Sequence, residues 1–197
     1  WDKEIRPYIG QFLTVAGVFM DNIDIYEEEI WPEVKDTLGR RAKHLNKLFT
    51  GKKITASWEK LIGLKFNERY RIFLCYSSDK GPDANSLSYD KNVFFYNSPD
   101  NRMVDFISHE VGTHLLFPYF DSLASVQKVA ARNFSGYYSA VESLAMFYNT
   151  RVLGKKELAY RLPQFRDTYH DSLYTSIYHH GISHEEMLMK ALSEEQR

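Results

Sequence analysis

Cysteine is all but missing: Cys75 stands alone among 197 residues, so the chain cannot close an internal disulfide. It lies in an apolar, strand-like run and reads as a buried small side chain, which leaves the redox compartment open. Excess charge of one sign is missing too. Lys and Arg total 25 against 26 Asp and Glu, a formal net charge of −1, which removes the electrostatic case for a nucleic-acid or membrane-surface partner. No uninterrupted apolar stretch approaches the roughly 20 residues that a membrane-spanning helix needs. No charged-then-apolar leader opens the chain, and the first residue is Trp1, as expected of a processed or truncated product. Internal repeats and low-complexity linkers are likewise absent. What remains is a length that buries a substantial core and suits one domain, or a domain with a helical extension.

Against this plain background one short segment stands out. Ser108-His109-Glu110-Val111-Gly112-Thr113-His114 brings two imidazoles and a carboxylate into one stretch. In the zinc-protease motif two histidines four apart share a helix face, and the glutamate between them activates a metal-bound water. Here the spacing is five. At about 100° per residue, five steps turn the second ring by about 500°, so on a regular α-helix the two rings diverge by about 140°. One wide turn with i to i+5 hydrogen bonding restores the alignment, and such turns occur as isolated insertions at functional sites. Gly112 relaxes the backbone, and Thr113 is β-branched and ill suited to a purely structural helix. The spacing therefore predicts a bulged helix across His109 to His114.

A catalytic zinc takes three protein ligands and leaves one position for water. Glu142 is the best candidate for the third, because it sits in the apolar, helix-compatible run from Tyr137 to Phe147, where a buried acid needs a cation. The competing reading pairs Glu142 with Arg132 or Arg151. Together, the His109–His114 segment and the later Val141-Glu142-Ser143-Leu144-Ala145 resemble the gluzincin metallopeptidases, in the variant with three residues between the glutamate and the second histidine. Within that group they look most like the microtubule tyrosine carboxypeptidase family and its bacterial relatives. The resemblance spans roughly residues 104 to 147. It implies a zincin-like fold, a zinc ion held by His109, His114 and Glu142, Glu110 as catalytic base, and a peptide or protein as substrate. Two departures separate the substrate preference from the family's: Ser143 stands where the family has glycine, and Phe117 where the carboxypeptidases carry arginine.

The surrounding pattern suits this reading. An amphipathic run from Ile5 to Met20 and an acidic-to-basic segment from Ile23 to Phe49 predict helices, with a break near Pro32. A short helix over 57–64 starts at a Ser57 cap. Arg69 to Tyr76 is β-branched and aromatic, which predicts a strand, and Leu87 to Tyr96 predicts a second one or two, turned near Asp90-Lys91-Asn92. Ser98-Pro99 then opens the helix that carries His109 and His114. In this order the Leu87–Tyr96 strand is the expected edge beside the cleft, open to an extended peptide by strand addition. From Tyr137 onward the pattern is helical, broken near Gly154, Pro163 and Gly181, and Ser183 with Glu186 forms a capping box for the last helix.

Hydrolysis also needs a donor aimed at the oxygen that becomes negative. Tyr138, four residues before Glu142, shares its helix face; His170 and Tyr174 are the other candidates. His180 and His184 offer a rival metal pair, although Gly181 interrupts their helix and a polar loop is the plainer reading. Lys43, Lys47, Lys52 and Lys53 read as a solvated face. The expectation is thus an α+β, zincin-like protein, mainly helical, with an N-terminal helical region over 1–66 and a catalytic region over 67–197. A small sheet precedes the metal-binding helix and a glutamate helix, and the activity is zinc-dependent peptide hydrolysis. A non-catalytic zincin-like domain that binds a peptide or protein is the alternative.

Overall fold

The computed structural model describes residues 6–66, 69–76, 84–88, 90–156, 158, 168–179 and 181–194, and for 84–88, 168–171 and 194 the backbone alone. They fall into two compact units, Trp1–His44 and Leu45–Arg197.

The first unit is helical. A 3-10 turn at Arg6–Tyr8 leads into α1 (Ile9–Asp21), the single turn α2 (Ile23–Ile25) and the opening part of α3 (Trp31–Lys52). The break expected near Pro32 takes the form of a wide turn over Tyr26–Ile30, closed by the Trp31 N–H on the Tyr26 carbonyl. Proline has no N–H to give to the preceding turn, and widening that turn lets the helix run into it. Helix α1 buries none of its residues; Phe12, Leu13, Phe19 and Met20 are 63–71 % exposed.

The second unit contains the end of α3, then α4 (Ile54–Ile62), three strands, and the helices α5 (Asp100–Asp121), α6 (Ala124–Ala130), α7 (Phe134–Leu153), α8 (Thr168–Ile177) and α9 (His184–Glu194). Helix α4, which the sequence grouped with the N-terminal region, belongs here. It begins at Ile54, not at Ser57: Lys53 takes a left-handed conformation before it and Gly63, also left-handed, ends it. Helix α5 starts one residue later than expected, with Pro99 as its cap and the Pro99 carbonyl accepting from Met103 N–H at 2.9 Å. Asn133 caps α7 by accepting from Gly136 N–H at 2.9 Å, and Ser183 Oγ does the same for Glu186 at the head of α9.

The strands β1 (Arg71–Cys75), β2 (Ala84–Ser88) and β3 (Lys91–Phe95) form one sheet in the order β1-β3-β2, with β3 parallel to β1 and antiparallel to β2. The Leu87–Tyr96 run is therefore parts of two strands, turned at Asp90, which Arg71 holds through side chain and backbone. This corrects the edge-strand expectation for Lys91–Phe95: β3 is central with both sides paired, while Leu87 and Ser88 belong to β2 at the edge of the described sheet. Its alternation drives Asn92 and Phe94 inward, where Phe94 meets Phe106 of α5 edge-on at 5.4 Å.

Two apolar clusters hold this unit together. The larger is built on α5 and α7, with Leu116, Phe120, Leu144 and Phe147 fully buried, and is sealed by Trp58 of α4, Tyr174 of α8 and Leu188 of α9. The smaller joins Leu45, Phe94, Met103, Phe106 and Ile107 beneath the sheet. The result is a mainly helical α+β unit in which α5 lies between sheet and α7. Among the described residues no helix is long and apolar enough to cross a membrane.

Candidate active site

Helix α5 carries His109, Glu110 and His114 through the middle of the second unit, and α7 runs beside it carrying Tyr138 and Glu142. The two helices bring His109 Nε2 to 2.8 Å from Glu142 Oε2, with both side chains buried. The buried partner of Glu142 is His109, whereas Arg151 lies over the Phe147 ring at 3.4 Å and donates to the Phe147 carbonyl at 3.0 Å.

The widened turn expected between Glu110 and His114 is not there. Helix α5 is regular α-helix from Asp100 to Asp121, so the two histidines do not share a face. The residues that suggested a bulge have other work. A Cβ built on Gly112 falls 2.2 Å from Cη2 of the buried Trp58, so the glycine exists to admit an indole from α4. The Thr113 hydroxyl donates back to the Glu110 carbonyl at 3.0 Å, a bond that satisfies it inside an α-helix. His114 is buried with its ring edge-on to Tyr70 at 5.5 Å. Among the described residues no three His, Cys, Asp or Glu side chains gather closely enough to hold a metal ion.

Glu110 points toward the sheet, where Asn92 Nδ2 donates to its Oε2 at 2.7 Å. Burial pushes the Glu110 carboxyl above its usual range; the His109 charge and the Asn92 hydrogen bond oppose that, and the Glu142 charge adds to it. Burial pulls the His109 imidazole down, but the hydrogen bond and charge of Glu142, helped by Glu110, outweigh it and the net direction is up.

Tyr138 is 40 % exposed, stacks on Phe117 at 5.4 Å and hydrogen-bonds Glu142 through its phenol. Burial, then the charges of Glu142 and Glu110, push that phenol up, so it stays a donor. Tyr174 drops out: its hydroxyl is buried and donates to the Ala140 carbonyl at 2.9 Å. His170 lies on α8, with its side chain outside the described residues. His180 lies outside them too. Its proposed metal partner His184 has both ring nitrogens engaged, with the Tyr148 hydroxyl at 2.8 Å and the Ile62 carbonyl at 2.7 Å, which is the bonding of a structural histidine.

Two residues were missed by sequence reasoning. Asn92 carried a faint signal, an amide at an inward position of an otherwise apolar strand. Tyr70 carried none, yet its hydroxyl is buried without a partner among the described residues, burial and the Glu110 charge raise it, and its ring meets His114. Comparisons with protein-family models, with curated proteins and with solved structures found no match.

Proposed function

We propose that the second unit is a zincin-like, zinc-dependent peptide hydrolase. The observation that carries this reading is the meeting of His109 Nε2 and Glu142 Oε2, 2.8 Å apart on two different helices, with the half-buried acid Glu110 next in sequence. An imidazole nitrogen and a carboxylate oxygen are donors that zinc takes, and here the two touch. His114 would be the third ligand. That role rests on the gluzincin resemblance, since His114 is not gathered with the other two.

A bound zinc would supply a water acidic enough to attack near neutral pH and would polarise the scissile carbonyl. The chain's own residues do the rest. Glu110, raised by burial, is suited to take a proton and return it to the leaving amine. Tyr138, which keeps its phenolic proton, is suited to donate to the developing oxyanion. Phe117, Tyr138 and the 67 % exposed Phe134 form an aromatic surface beside Glu142 that suits an apolar stretch of peptide.

The test is zinc stoichiometry together with turnover of a quenched-fluorescent peptide library. His109→Ala, His114→Ala and Glu142→Ala are each expected to strip zinc, while Glu110→Gln keeps zinc and lowers kcat by a factor of about 10² or more. Full metal content in all three alanine variants would overturn the ligand set. The second reading, a non-catalytic domain that binds a peptide, is favoured by the absence of a three-donor group among the described residues. It predicts no tightly bound zinc and no cleavage even with added metal.

A further inference from the structure

Asn92 occupies a place where packing alone calls for an apolar side chain. It is fully buried on the central strand, two residues from the equally buried Phe94 and facing the same helix. A buried amide is unfavourable unless both ends are paired. Here one end is not: among the described residues Oδ1 has no partner, whereas Nδ2 donates to Glu110 Oε2 at 2.7 Å. The unpaired oxygen argues against a role in stability, and the paired nitrogen says what the amide serves.

Resting on the reading of Glu110 as the proton acceptor, we propose that Asn92 is a positioning residue that fixes the Glu110 carboxylate by holding Oε2, leaving Oε1 to exchange the proton. A carboxylate with no donor rotates about its last bond and presents either oxygen at a range of angles. A donor on one oxygen removes that freedom. The donor is itself rigid, because β3 is paired through β1 on one side and β2 on the other. Proton transfer depends steeply on such alignment.

The experiment uses the zinc-loaded protein and the peptide it cuts fastest from a quenched-fluorescent library. Asn92→Leu keeps similar volume and removes the donor, and Asn92→Ala serves if the leucine variant fails to fold. The expected result is a fall in kcat of tenfold or more, with KM within twofold and zinc content unchanged. In a Glu110→Ala background the same substitution is expected to change the residual rate by less than twofold. In metal-free protein, Asn92→Leu and Glu110→Ala together are expected to shift the melting temperature by less than the sum of the single shifts. An Asn92→Leu protein with unchanged kcat, or one whose loss persists without Glu110, overturns the inference and leaves the hydrolase reading standing. If Glu110→Gln itself keeps the full rate, the base assignment fails and this inference fails with it.

Discussion

Gly112 shows how one missing methyl decides a helix pairing. Trp58 is fully buried, its Nε1 donates to Ser108 Oγ at 3.0 Å, and its ring lies where a side chain at 112 would be. Gly112→Ala forces the indole to move, so we expect overpacking worth about 1–3 kcal/mol and loss of a buried hydrogen bond worth about 1 kcal/mol. Thermal unfolding should fall by several degrees, at about 2–4 °C per kcal/mol for a chain of this size, and tryptophan emission should change with it. An unshifted melting curve would show that the ring has room. Glu59 makes a pH-dependent contribution of another kind. The Lys65 hydrogen bond at 3.0 Å, opposed by burial and helped by the Phe66 N–H, holds its carboxyl below the usual range. A lowered acid stabilises fully above its unfolded pKa, and that contribution is lost as pH falls through the folded value. Glu59→Gln should therefore flatten the acid limb of the stability profile and leave its shape near neutral pH unchanged.

Among the elements, α7 is the one on which the second unit is assembled. Asn149 Nδ2 donates to the Asp105 carbonyl of α5 at 2.7 Å, and Tyr148 reaches His184 of α9, which in turn reaches the last residue of α4. A carbonyl only accepts, so His184 Nε2 donates to Ile62, while the Tyr148 hydroxyl lies 2.8 Å from Nδ1 and 3.2 Å from Met187 Sδ. Three helices thus share one chain of hydrogen bonds. Tyr148→Phe leaves Nδ1 without its hydroxyl partner, and the expected loss of stability is about 1–3 kcal/mol, read by urea denaturation. If the midpoint does not move, the tyrosine acts through packing alone. Zinc content and turnover should stay unchanged, because none of these groups touches His109 or Glu142.

For the whole molecule, burial is uneven. The second unit has two apolar clusters, while α1 in the first unit leaves a set of large apolar side chains in solvent. Exposed side chains contribute little to folding, and surface substitutions stay within about 0.5 kcal/mol. Replacing both Phe12 and Phe19 by serine should leave the main unfolding transition within a few degrees of the parent and reduce binding of a hydrophobic dye. A large drop in the transition would mean that these rings are packed in solution.

Local patterns were enough to place most helices, the strands, the Ser183 cap and the pair of helices bearing His109 and Glu142, because apolar periodicity and caps act over a few residues. That Glu142 would need a buried partner was also legible, since a lone acid in an apolar helix is costly without one. Three matters lay beyond reach. Whether the helix widens at Gly112 depended on Trp58, 54 positions earlier, whose ring supplies the reason for a glycine that sequence alone ascribed to a widened turn. Whether β3 is edge or centre depended on which strands pair with it, and period-two alternation carries no record of neighbours. The Asn92–Glu110 bond joins a strand to a helix 18 positions away, and residue types alone do not say which buried amide faces which acid. Contacts between distant segments exist only once the chain has packed, and it is there that the helix stayed regular and the carboxylate found its donor.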